Sequence, residues 1–205
     1  VRQNYLAARL ASPDFVNVFL GRLNQVVIDH KAGTGDLVGE KVTLATQQAL
    51  RSARDNHKEV NSRLIAASIR NGEQVAFLAG LDVLTIPPAA MKAFQDSGKS
   101  AEQVVSHIDD AIDPGIDPQH ALAKRFSELW ELSDEFENFV NALVSNPQLD
   151  TMQGEELAEL ANRVNLFHPF TEEDLKKIQD HGKIPDLFAW PESIAIDDLM
   201  TQSAL

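Results

Sequence analysis

Apolar residues recur along the first half of the chain in two alternating rhythms. Across 3–11, Tyr5, Leu6 and Leu10 fall at helical spacing, so the chain opens inside or just before a helix. Ser12-Pro13-Asp14 interrupts it, and the β-rich run Phe15-Val16-Asn17-Val18-Phe19-Leu20, bounded by Gly21, predicts a short buried strand over 15–20. A loop containing Gly33, Gly35 and Gly39 follows. Over 41–57, Val42, Leu44, Ala45, Ala49, Leu50 and Ala53 form the apolar stripe of an amphipathic helix with Arg and Lys on its outer face. The unit then recurs: a strand over 63–68, a helix over 72–79 with Gly80 as its C-cap, a strand over 82–86, and a helix opening at Pro87-Pro88, where proline suits the first turn. Strands alternating with helices at this spacing define βαβ units and a parallel sheet, which must be covered on both faces or closed into a barrel.

From Ser100 onward every segment reads as helix. One opens at Ser100-Ala101-Glu102-Gln103, a long one covers 118–143, and another covers 154–164. A further helix starts at Thr171-Glu172-Glu173-Asp174, whose acidic first turn complements the helix dipole. The segments 113–118 and Asn146-Pro147 are linkers. The predicted organisation is an α/β part over 1–98 and a helical C-terminal extension over 99–205.

A length of 205 residues suffices for one domain with a sizeable core, or a smaller domain plus an extension. With 43% hydrophobic and 24% charged residues, the chain has the composition of a globular protein. Its longest apolar runs fall far short of the roughly 18 residues of a membrane span. The formal net charge of -13 argues against nucleic acid or an anionic membrane as partner, since these need clustered Lys and Arg. The absence of cysteine excludes disulfides, thiolate catalysis and cysteine metal sites, and fits the expected cytoplasmic location. The six histidines show no H-x-H or H-E-x-x-H spacing, and Asp109, Asp110, Asp113 and Asp117 do not match a calcium loop, so no metal is expected. The first residue is Val1 rather than Met, with no signal-peptide pattern, and natural sequence upstream is expected to be missing.

Candidate chemistry sits where predicted strands run into loops, because barrels and open parallel sheets build their sites at the C-terminal strand ends. Arg22 follows the first strand across Gly21, and Ser68 and Arg70 end the second. Neighbouring parallel strands would aim both arginines into one mouth. Two guanidinium groups and a hydroxyl suit a phosphate dianion; the other open reading pairs each arginine with a surface carboxylate of this acidic chain. Phe126, Trp130, Phe136 and Phe139 follow helical spacing and are assigned to core packing. The clusters Phe167-His168-Pro169-Phe170 and Phe188-Ala189-Trp190-Pro191 either pack the tail against the body of the protein or anchor a partner.

Three stretches carry a resemblance. Val16-Asn17-Val18-Phe19-Leu20-Gly21-Arg22 resembles the transaldolase segment I-S-P-F-V-G-R, 64–71 (Leu-Ile-Ala-Ala-Ser-Ile-Arg-Asn) resembles V-M-G-A-S-F-R-N, and 78–88 is similar to L-A-G-C-D-x-L-T-I-x-P. They occur in the family's order and with similar separations, covering roughly residues 1–95. The resemblance implies a (β/α)8 TIM barrel of which the last three βα units are present here, followed by the helical extension. It implies a transferase of the pentose phosphate pathway that moves a dihydroxyacetone unit between sugar phosphates through a lysine Schiff base. Arg22, Ser68 and Arg70 match the family's phosphate-contacting residues. Asn17 stands where many members have a serine near the substrate, Phe19 matches a phenylalanine that shapes the pocket, and Ile69 replaces a Phe.

In the family the Schiff-base lysine lies on an earlier strand, so it is expected upstream of Val1. By pattern, every lysine from Lys31 to Lys183 falls in a polar loop or on a helix, away from the apolar strand setting that would lower its pKa. The chain is therefore expected to hold no catalytic residue of its own, to need no cofactor, to bind a sugar-phosphate substrate, and to require the upstream barrel half to complete its fold. Homo-oligomer formation is left open. The alternative is a non-catalytic relative that uses its extension for protein contacts.

Overall fold

The computed structural model describes residues 1–163 and 167–204. Helix α1 (Arg2–Ala11) buries Tyr5, Ala8 and Arg9 and stops at Ser12, whose left-handed conformation precedes Pro13. Strand β1 (Phe15–Phe19) runs directly into α2 (Leu20–Asp29), and α3 (Val38–Asn56) leads back to β2 (Arg63–Ala67). Then come α4 (Gly72–Phe77), β3 (Val83–Leu84) and α5 (Pro88–Asp96). The strands form one sheet of order β1-β2-β3. Both pairings are parallel: Phe15 to Phe19 lie opposite Arg63 to Ala67, and Ile65 and Ala66 opposite Val83 and Leu84.

Burial along β1 alternates with the period of two that a strand requires. Val16 and Val18 face the helices and are buried; Phe15, Asn17 and Phe19 face the other way, with Phe15 49% and Phe19 45% exposed. A parallel sheet is normally covered on both faces, and here one face of its first strand lies open.

Asp82 pins the start of β3. Its carboxylate accepts from the Leu64 N–H (3.0 Å), the Gln47 amide (3.0 Å) and Arg54 (3.1 Å), tying β2, β3 and α3 together. Burial alone would push this carboxyl up, but the Leu64 N–H, the Gln47 amide and the Arg54 guanidinium outweigh it and hold it below the usual range. Gly39 lets α3 approach α2: a Cβ there would lie 2.1 Å from the Leu20 carbonyl oxygen.

The helices beyond residue 100 are α6 (Asp134–Val144), α7 (Gly154–Arg163), α8 (Glu172–His181) and α9 (Ile196–Gln202). They share one core with the α/β part, in which Tyr5, Val16, Val18 and Leu64 pack in the same cluster as Phe126, Phe136, Leu187, Ile196 and Leu199. Each large apolar side chain fully buried there contributes about 1.5–3 kcal/mol, which attaches the extension to the α/β part. Of the aromatic clusters, Phe167 packs against Phe136 (5.7 Å) and Phe170 against Trp190 (6.1 Å), while Phe188 stays exposed.

Three expectations are corrected. The stretch after β1 is a helix, α2, burying Leu20, Leu23, Val26 and Val27. The long helix expected over 118–143 is a 3-10 helix, Arg125–Leu129, followed by α6, because the Ser133 hydroxyl caps a new start by accepting from the Phe136 N–H. The helix expected at Ser100 is a single 3-10 turn, Ala101–Gln103, which has its capping box but buries no residue. Of the helix expected over 154–164, Val164 lies outside the described residues.

Candidate functional site

The end of β2 is built around a buried anchor. Ile69 is 1% exposed and packs with Leu20, Val75, Leu78 and Ala90, so the residues on either side of it, Ser68 and Arg70, project away from that cluster. Ser68 adopts a left-handed backbone (φ 67°), which for a residue with a Cβ costs on the order of 1–2 kcal/mol. Both side chains lean over Gly21 at the neighbouring end of β1. A Cβ on Gly21 would lie 2.6 Å from the Ser68 carbonyl oxygen, 2.9 Å from its Oγ and 2.8 Å from the Arg70 Nε. Glycine is needed here for close approach. Gly21 is also in the first turn of α2, whose N-cap Phe19 supplies no side-chain acceptor, so the N–H groups of that turn have no capping side chain.

A polar network that sequence reasoning missed fixes the loop carrying Arg70. The Arg70 backbone N–H donates to Gln74 Oε1 (2.6 Å), Gln74 Nε2 donates to Glu40 (2.7 Å), Asn24 Nδ2 donates to the other Glu40 oxygen (3.1 Å), and the Gly39 N–H donates to Asn24 Oδ1 (2.6 Å). Glu40 is 3% exposed, and this satisfaction by two amides is what a buried carboxylate requires. The signal available in the sequence was Asn71-Gly72-Glu73-Gln74, an N-cap followed by Gln three residues on. Asn71 does cap α4 by accepting from the Gln74 N–H (2.9 Å).

The two arginines open on different cavities rather than one mouth. Arg70 lines a cavity of about 580 Å³ with Gly21, Asn24, Asp36, Glu40 and Asn71. Arg22 lines one of about 170 Å³ with Asn17, Phe19, Asn4, Met200 and Thr201. Among the described residues, no carboxylate pairs with either guanidinium, and the Arg70 side chain makes no hydrogen bond. Arg22 instead reaches the far end of the chain: its Nη2 donates to the Lys183 carbonyl, to the Ser203 carbonyl (3.1 Å) and to the Ser203 hydroxyl (3.0 Å). Its Nε is buried and has no partner among the described residues. Burial pushes the Arg22 pKa down from its usual value.

No lysine stands on a strand of the described sheet. Lys41, on α3, donates to the Ile112 carbonyl and covers the Trp130 ring at 4.4 Å; Lys177, on α8, covers Trp190 at 4.2 Å. Lys41 thus ties α3 to the extension, and Lys177 ties α8 to the 187–190 segment within it. Among the described residues, no three His, Asp or Glu side chains group so as to hold a metal ion, and no helix is long and apolar enough to cross a membrane.

The strand ends thus bring Ser68 and Arg70 together over Gly21, at the start of α2, while Arg22 opens on a separate cavity. The family model described as Transaldolase/Fructose-6-phosphate aldolase matches residues 1–146, and the chain belongs to that family, whose fold is the TIM barrel. A curated protein named "Probable transaldolase", from Parvibaculum lavamentivorans (strain DS-1 / DSM 13023 / NCIMB 13966), is 36% identical over 92 residues, which is 44% of this chain and 36% of that protein. The match thus spans about a third of the relative's length. No solved structure matches.

Proposed function

We propose that this chain is the substrate-phosphate-binding end of a transaldolase-like transferase, one that moves a dihydroxyacetone unit between sugar phosphates of the pentose phosphate pathway through a lysine Schiff base. The observation that carries the reading is the packing of Ser68 Oγ and the Arg70 Nε over Gly21, at adjoining ends of two parallel strands and beside the uncapped start of α2. Arg70 would grip the phosphate with two parallel N–H bonds, and Ser68 Oγ and the first-turn N–H groups of α2 would donate to the remaining oxygens. The strained backbone of Ser68 fits a residue held for function rather than for stability. Arg22, the residue after Gly21, opens on a separate cavity with Asn17 and Phe19. Fixing the phosphate fixes the far end of the sugar, so that its carbonyl meets a nucleophile at a set distance.

That nucleophile would come from outside this chain. The open face of β1, with Phe15, Asn17 and Phe19, suits the interior of a barrel completed by further strands. In that setting Asn17 and Phe19 line the substrate pocket. The extension turns Leu187, Trp190, Ile196 and Leu199 into the shared core and leaves Phe188 61% exposed.

The test is Arg70→Ala in the intact protein. Loss of a hydrogen-bonded charge partner should weaken sugar-phosphate binding by about 1.5–3 kcal/mol, and Arg70→Lys should not restore it fully, because the fork is lost. An unchanged Michaelis constant in the alanine variant would count against the assignment.

A further inference from the structure

We infer that the C-terminal segment from Lys183 to Ser203 is a clasp on Arg22 that must release it before the guanidinium can bind phosphate. This rests on the reading of Arg22 as a phosphate ligand and adds a regulation of that site. Every hydrogen-bond partner of the Arg22 side chain among the described residues belongs to this segment: the Lys183 and Ser203 carbonyls and the Ser203 hydroxyl. All three are neutral acceptors, weaker partners for a guanidinium than a phosphate oxygen. They also satisfy one nitrogen alone, while the buried Nε is left without a partner. An anion meeting both Nε and Nη2 would satisfy what the clasp leaves unmet.

Space for such an anion lies beside the contact. The cavity at Arg22 has a volume of about 170 Å³, room for about five waters at roughly 30 Å³ each and hence for a phosphate group. Its lining includes Asn17 and Phe19 of β1, Met200 and Thr201 of α9, Ala204 beyond it, and Asp197, whose charge is taken up by Arg2. The clasp can also open without unpacking the fold. Ile196 and Leu199 hold α9 in the core, and Arg2 binds Asp197 at 2.6 Å, whereas Ser203 is the C-cap and Ala204 beyond it is exposed. Fraying of the last turn of α9 withdraws both Ser203 contacts and leaves its anchors in place, and the Lys183 carbonyl, on an exposed bend after α8, has to let go as well.

Competition for one guanidinium is reciprocal: whatever factor the clasp takes from phosphate affinity, phosphate takes from clasp stability. Hydrogen exchange of the amides over 199–204, measured on the full chain with and without inorganic phosphate, reads one side of this coupling. Calorimetric titration with inorganic phosphate reads the other. Phosphate should speed exchange at these amides several-fold. Ser203→Ala, which removes one acceptor at a half-buried position, should tighten phosphate binding by about two- to threefold. Ser203→Asp, which sets a carboxylate against Arg22, should weaken it at least tenfold. Arg22→Ala should abolish the effect of phosphate on exchange. If Arg22→Ala loses phosphate affinity while exchange over 199–204 ignores phosphate and both Ser203 variants bind like the parent, the clasp is overturned and the phosphate reading stands. If Arg22→Ala binds phosphate as well as the parent, the clasp and the reading of Arg22 as a phosphate ligand are both overturned.

Discussion

Replacing Gly21 by alanine tests the geometry of the site with a single methyl group. The added Cβ would lie 2.6 Å from the Ser68 carbonyl oxygen, where an ordinary contact begins at 3.4 Å, so the end of β2 must retreat by about 0.8 Å. That oxygen belongs to backbone fixed between buried Ala67 and Ile69 and cannot swing aside as a side chain could. Overpacking of this kind costs about 1–3 kcal/mol. Against it stands the better helix propensity of alanine, at most about 1 kcal/mol and less in a first turn. The net expectation is a destabilisation of about 1–2 kcal/mol by urea unfolding. Moving Ser68 and Arg70 by most of an ångström should also reduce sugar-phosphate affinity by about tenfold or more. Gly154→Ala is the control: it sits in the first turn of α7 with nothing within 4 Å of the new Cβ, and should leave stability and affinity unchanged or raise stability slightly. A Gly21→Ala protein as stable as its parent, with the same affinity, would refute the close approach of the two strand ends as the basis of the site.

Two further outcomes are expected. Asp198 is pushed up to about 6 by burial and by the neighbouring Asp197, against the pull of Arg2, the His168 N–H and Gln3. It binds its proton more tightly folded than unfolded, so stability should fall by up to about 3 kcal/mol as pH rises from about 4 to about 6. Urea midpoints from pH 4.5 to 7.5 should show this decline, flattened in Asp198→Asn; Glu128, also raised by burial, leaves a residual slope of the same sign. An identical slope in the variant would remove Asp198 as its cause. Because Phe15 and Phe19 lie on an open sheet face, the 205-residue chain expressed alone should self-associate. A monomer with a cooperative thermal transition would show that the helical extension closes the fold by itself.

The strands were legible because each is a short apolar run ending at a glycine, a serine or a proline, and their parallel pairing followed from the helices between them. Helix α2 was hidden by its own composition: Gly21 reads as a strand stop, and Val26, Val27 and Ile28 are β-branched, although Leu20, Leu23 and Val27 carry a helical spacing. The start of α6 was marked by Ser133 before an acidic turn, a local cap outweighed by the longer apolar pattern around it. At the site, Ser68 and Arg70 were legible as residues at a strand end. The partners of Arg22 lie 161 and 181 residues away along the chain. A contact made to backbone carbonyls leaves no trace in residue type. Of the Glu40–Gln74–Asn24 network only the cap at Asn71 left a signal, because polar residues near helix starts read as solvated until packing buries them.

The proposed division of labour, with phosphate held by this chain and the nucleophile supplied from outside it, is tested most directly by trapping. The intact protein is incubated with fructose 6-phosphate, reduced with borohydride, digested, and mapped by mass spectrometry. The expected result is a substrate adduct on a lysine outside these residues and none on any lysine from Lys31 to Lys183. A stoichiometric adduct on one of those lysines would contradict it.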